Sequence, residues 1–166
     1  MEIRDGKKFT GYMKGVRKRT LEVLAQIPAD KEQWRLGEGM SPIDIMIHIA
    51  QTEQALWGSA LKTGKAGPLP QPTPEQQSTL VAALEFAAQI RKQNEDYWSG
   101  LGEVELSAEI VGPTGDRIML SRWLMLAPEH EIHHRSFLHA YRKIWGMAPH
   151  PIYGLTLEGL KEMLKQ

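Results

Sequence analysis

The chain has 166 residues, 42% hydrophobic and 24% charged, and its 20 basic side chains balance 20 acidic ones to a formal net charge of +0. This suits one folded domain spanning residues 1–166; it lacks the basic face that phosphate neutralisation needs, so no nucleic-acid partner is expected. There is no cysteine, which excludes disulfides, iron–sulfur clusters, thiolate zinc sites and a cysteine nucleophile, and no apolar run approaches the ~18 residues of a membrane span.

The segment about 9–27 carries Tyr12, Val16, Thr20, Val23, Leu24 and Ile27 at helical spacing and should end before Pro28. Ser41-Pro42 supplies an N-cap and a proline at the first helical position, where its missing N–H is harmless, and opens a second helix of about 42–63, closing at Gly64. Gly67, Pro68, Pro70 and Pro72 mark a loop. Thr73-Pro74-Glu75-Gln76 reads as a capping box for a third helix from 74 to about 99, with Leu80, Leu84, Ala87, Ile90 and Tyr97 on its apolar side. Residues 100–117 contain the turn Gly112-Pro113-Thr114-Gly115-Asp116, flanked by short strands or an extended crossover. A fourth helix covers about 119–146, and Pro128 should kink it or start a fresh segment. A short helix of about 157–164 finishes the chain. The expected fold class is all-α, a four-helix bundle with one longer crossover and a short C-terminal helix.

The chemistry concentrates in histidine. His130 and His134 are four apart, so both project from one helix face a turn apart, where two imidazoles can share a metal ion. They lie on the seam Trp123, Ala127, His130, His134, Phe137, Tyr141, Ile144, which turns both rings inward. His48 falls on a second seam, Ile45, His48, Thr52, Leu56. Three imidazoles in one core are costly unless each finds a partner, and a divalent ion would satisfy them together. His133 is offset from the seam, and His139 and His150 lack partner spacing, so these three read as surface or hydrogen-bonding residues.

Two motif readings compete for the same stretch. His130-Glu131-Ile132-His133-His134 satisfies the His-Glu-x-x-His pattern of zinc hydrolases, with Glu131 as general base and Glu158 as a downstream ligand. The extended pattern fails, since Phe137 stands where glycine is required and Ala140 where the third histidine belongs. Glu131-Ile132-His133-His134 holds one Glu-x-x-His of the di-iron type, but no second pair exists on another helix.

The chain resembles the DinB-like family of metal-dependent bundles. The likeness is carried by Ser41-Pro42-Ile43-Asp44-Ile45-Met46-Ile47-His48-Ile49-Ala50-Gln51-Thr52-Glu53 and by His130-Glu131-Ile132-His133-His134-Arg135, continuing through Tyr141-Arg142-Lys143-Ile144-Trp145-Gly146 to Pro151-Ile152-Tyr153-Gly154. The resemblance implies a bundle, often a homodimer, that binds zinc or nickel through one histidine of the second helix and two of the last long one, here His48, His130 and His134. Family members commonly continue His-His-Arg-Gly-Gln, whereas Ser136 and Phe137 follow Arg135 here.

The resemblance further implies a metal-dependent transferase or isomerase that uses a low-molecular-weight thiol on a small-molecule substrate. An ion held by three neutral histidines keeps its charge and an open position, and would lower the pKa of a bound thiol or water. Glu53 and Tyr141 are the nearest candidates for a base. The alternative is a non-catalytic, stress-associated bundle in which the ion only fastens helices together. In either case occupancy should fall as pH drops through roughly 6.5, where free imidazole protonates. The polar N-terminus, Met1-Glu2-Ile3-Arg4-Asp5, has no signal-peptide core, so a cytoplasmic location is expected.

Overall fold

A computed structural model describes residues 3–59, 63–112, 114–151, 154 and 157–165. Helix α1 spans Gly6–Leu24 and starts three residues before the expected residue 9, because the Asp5 carboxylate accepts the Lys8 backbone N–H at 3.0 Å and caps it. Helix α2, Pro42–Thr52, begins on the expected Ser41 cap, with Ser41 and Asp44 forming a reciprocal capping box. It then widens into a π-helical segment, Glu53–Gly58. Residues 60–62 of the expected span lie outside the described residues, and Gly64, where the helix is expected to close, adopts a φ of 75°.

The third helix starts later than the sequence predicts. The Thr73 and Gln76 cap does form, with Thr73 N donating to Gln76 Oε1 at 2.9 Å, but it closes only a single 3₁₀ turn, Glu75–Gln77. A second cap, Thr79, opens helix α3, Leu80–Trp98, and Glu32 Oε2 accepts the Leu80 N–H at 2.9 Å. Helix α4 is a single turn, Glu103–Leu106. Strands β1, Glu109–Val111, and β2, Arg117–Met119, then form an antiparallel hairpin with Ile110 opposite Ile118. Helix α5, Leu120–Ile144, runs continuously through Pro128, so the proline does not begin a new segment. Helix α6, Leu157–Met163, ends the fold. Ile152 and Tyr153, part of the stretch carrying the family resemblance, lie outside the described residues.

Among the described residues, α1, α2, α3 and α5 build the mostly helical bundle expected from sequence. α2 packs on α3 and α1 on α5, while α1–α3 and α2–α5 contacts close the square, leaving α1 diagonal to α2 and α3 diagonal to α5. The apolar interior divides in two. One cluster gathers Val23, Leu24, Ile45, Met46, Ile49, Phe86, Ile90 and Leu138. The other gathers Phe9, Met13, Trp57, Trp98, Leu106, Leu120, Trp123 and Leu124.

The interior also contains a closed ring of charge, with one residue from each long helix. Arg17 of α1 reaches Glu131 of α5 at 2.9 Å and Glu53, where α2 widens, at 3.1 Å; Arg91 of α3 reaches both carboxylates at 2.7 Å. All four are buried. Burial works against the Arg17 and Glu131 charges, but the opposite charges overcome it: Arg17 is held above its ordinary pKa and Glu131 below the usual carboxylate value. Asn94 Nδ2 adds a bond to Glu53 Oε1 at 3.1 Å. Gly58 leaves the space for it, since a Cβ there would lie 2.4 Å from Asn94 Oδ1.

Candidate metal centre

The ladder of α2 carries His48 five residues before the ring residue Glu53, while α5 carries His130 and His134 on either side of Glu131. Beyond His48 the π-helical widening is fixed by tertiary partners. Ala55 O accepts Gly67 N at 2.8 Å, Leu56 O accepts Trp123 Nε1 at 2.6 Å, and Trp57 O accepts Trp98 Nε1 at 3.1 Å. Trp57 in turn donates its indole N–H to Trp123 O at 2.9 Å. Two indoles, Trp98 and Trp123, thus serve a backbone whose own ladder has been rearranged. The result places the Trp57 ring 5.5 Å from His130, as a wall of the histidine cluster.

His48, His130 and His134 come together as the sequence predicts. His130 Nε2 lies 3.2 Å from His48 Nε2 and 3.2 Å from His134 Nε2, and one ligand atom from each residue falls within 4.8 Å of the others. A tetrahedral ion with nitrogens about 2.0–2.1 Å away sets neighbouring ligands about 3.3 Å apart, so the observed spacing matches the edge of such a site. Hydrogen bonding alone serves it poorly. His130 Nε2 has either one hydrogen or one lone pair to offer, yet it faces two partners. The three residues can hold a metal ion.

The electrostatics favour the unprotonated state that ligation needs. Burial, then the charge that His48 and His133 would carry, lowers His130 to about 4. Burial, then His130, His48 and His133, likewise lowers His134 to about 4, and burial lowers His48. The lone pairs of His130 and His134 are therefore available below the roughly 6.5 of free imidazole.

The other residues singled out by sequence take different places. Glu131 has Oε1 on Arg17 Nε and Oε2 on Arg91 Nη2, so both oxygens of the base required by the zinc-hydrolase motif are engaged in the ring. The side chain of Glu158, its downstream ligand, lies outside the described residues. Glu53 is bound by Arg17, Arg91 and Asn94, and Tyr141 donates its hydroxyl to Met40 O at 2.8 Å, so neither candidate base stands free at the cluster. His133 is exposed at the rim, 5.0 Å from the His134 ring, with Phe137 beside both. His139 and His150 stack on each other at 6.3 Å, and Gln26 pairs with His150. Sequence reading overlooked Arg17 and Arg91, because isolated arginines on helices read as solvated. Their burial was written in the helical spacing of Arg17 with Met13 and Thr20, and of Arg91 with Ala87 and Asn94.

A four-helix bundle with three imidazoles converging from two of its helices defines the class of fold and site. The chain belongs to the DinB superfamily, whose pattern matches residues 12–138. Its structure is similar to the crystal structure of a DinB-like protein, YjoA, from Bacillus subtilis. The TM-score is 0.69 and the identity 25%, over 88% of this chain and 97% of that one. Comparison with curated proteins gave no significant match.

Proposed function

We propose that this chain is a metal-dependent enzyme acting on a small molecule, of the thiol-dependent transferase or isomerase type, with His48, His130 and His134 as the ligands of a zinc or nickel ion. The observation that carries the reading is the 3.2 Å spacing of His130 Nε2 from both neighbouring Nε2 atoms, contributed by two different helices. Neutral imidazoles leave a bound ion its full charge, and an ion so held supplies Lewis acidity toward a thiol or water. The protein's own contribution is to keep the rings unprotonated and to wall them with Trp57 and Phe137. Residues 1–166 act in this reading as one domain, in the cytoplasm, as a homodimer, following the family resemblance.

Elemental mass spectrometry on untagged protein tests the core of the proposal. One equivalent of metal in the wild type, lost in both His48→Ala and His130→Ala, is the expected result. Retention in His48→Ala would break the three-ligand assignment, and a wild type that takes no metal on reconstitution would end it. A site with a fourth protein ligand and no exchangeable position would instead favour the purely structural bundle.

A further inference from the structure

We propose that Arg142, His139 and His150 form a binding site for a small oxyanion, the carboxylate or phosphate group of a ligand, where α5 gives way to the loop behind it. The site uses none of the three clustered histidines and does not depend on the metal reading. Arg142 is only 5% exposed, and its Nη2 donates to Ala148 O at 2.9 Å, so the loop folds back against it. Its Nε and Nη1 are buried and meet no acceptor. Together they carry three N–H groups. Arg17 and Arg91 each bridge two carboxylates, whereas no carboxylate pairs with Arg142 among the described residues. A buried charge is costly unless an opposite charge accompanies it. A water molecule would accept a hydrogen bond there but leave the charge uncompensated.

Two imidazoles stand beside this guanidinium. His139 precedes Arg142 by three residues on the same face of α5, and His150 stacks on His139 with ring centroids 6.3 Å apart. Gln26 Nε2 has only hydrogens to offer, so His150 Nδ1 accepts it at 2.7 Å and the ring proton belongs on Nε2. That Nε2 is buried without an acceptor, and His139 Nε2 is likewise buried and unpaired. The charges acting on His139 are those of Arg135, His150 and Arg142, all positive. Stacked imidazoles can also hold a cation, but the arginines beside them repel one, and no third ligand converges on them among the described residues. Glu22 brings a carboxylate into the neighbourhood. Its Oε2 lies 3.9 Å from His150 Nε2, beyond hydrogen-bonding distance, and its Oε1 4.0 Å from Lys18. With its side chain 41% exposed, Glu22 is served by solvent and makes no ion pair with Arg142. A ligand oxyanion supplies what the site lacks: a negative charge and several acceptor oxygens.

Thermal unfolding with phosphate, acetate or chloride added at constant ionic strength tests the assignment, with heteronuclear NMR of the Arg142 Nε–H resonance on the same samples. Phosphate or acetate at tenfold its Kd should raise Tm by about 3–5 °C and shift that resonance saturably, and chloride should do neither. A response to phosphate alone supports a phosphate ester as the ligand, and one to acetate alone a carboxylic acid. Arg142→Met should abolish the rise in Tm. His150→Leu, a change in the loop, should weaken binding about tenfold, the loss of one charge-assisted hydrogen bond. His48→Ala should leave the response whole. No response to either oxyanion, or an equal response to chloride, overturns the proposal. A response that survives in Arg142→Met and His150→Leu but disappears in His48→Ala also overturns it, and would place the anion on a metal ion instead.

Discussion

Glu131 Oε1 accepts a hydrogen bond from Arg17 Nε at 2.9 Å across 114 residues of sequence, from a position of α5 between His130 and His134. This contact is the ground for expecting an architectural rather than a catalytic role for the glutamate. Removing one member of a buried ion pair strands its partner, at a cost of about 3–5 kcal/mol. Glu131→Ala should therefore destabilise the protein by about that amount in urea denaturation, while the folded fraction still takes up zinc. A change below about 1 kcal/mol would mean that the ring contributes little and that Glu131 is free for other work.

Metal should raise thermal stability through the same three histidines. A ligand that binds only the folded state stabilises it by mass action, about 2.7 kcal/mol at a hundredfold excess over Kd. Zinc added to chelator-treated wild type is expected to raise Tm, and His48→Ala should remove that response. An equal rise in the variant would place the ion elsewhere.

The metal-free protein should lose stability on mild acidification. His130 and His134 are lowered to about 4 by burial first and neighbouring imidazoles second, against about 6.5 in an unfolded chain. Between those values the unfolded state binds more protons, so unfolding becomes easier as pH falls. The contribution is complete above about 6.5, shrinks toward about 4, and is constant below. Denaturation midpoints of chelator-treated protein at several pH values measure it; in the double variant His130→Asn/His134→Asn this slope should flatten. A slope as steep as wild type would assign it to other groups.

The widened end of α2 depends on indole donors. Trp98→Phe removes the N–H that Trp57 O accepts, and the loss of that buried hydrogen bond should cost about 0.5–1.5 kcal/mol in urea denaturation. Gly58→Ala should be damaging for a different reason, since its Cβ would meet Asn94 Oδ1 at 2.4 Å and push it from its place beside Glu53. A Gly58→Ala protein as stable as wild type in urea would show that Asn94 can move away without loss.

Helix existence and the three histidines were legible because both rest on local rules. Ser41-Pro42 announces a start, Gly64 and Gly146 adopt the positive φ values of helix ends, and a four-residue step puts two rings on one face. Thr73 misled because a capping box specifies a turn, not how far the helix continues; tertiary contacts, including Glu32 on Leu80, set the start of α3. The apolar seam of the last long helix was right at Trp123, Ala127 and Tyr141 but wrong at Phe137 and Ile144, which are exposed. Glu131, Arg135 and Arg142 are buried on that helix instead. Charge at a core position is hidden from hydrophobic periodicity, since what makes it tolerable is a partner elsewhere in the chain, as Arg17 and Arg91 are for Glu131.

The charge ring has a consequence for how the helices are aligned along the bundle axis. Apolar ridges tolerate sliding, because one leucine can replace another in a groove. A guanidinium and a carboxylate do not: moving any one helix by a turn, about 5.4 Å, would take a buried ion beyond reach of its counter-ion. The ring therefore works as a register mark shared by all four long helices. His48 lies within a turn and a half of Glu53, and His130 is the immediate neighbour of Glu131. The heights at which the imidazoles meet are thus set by residues that would never touch a metal ion.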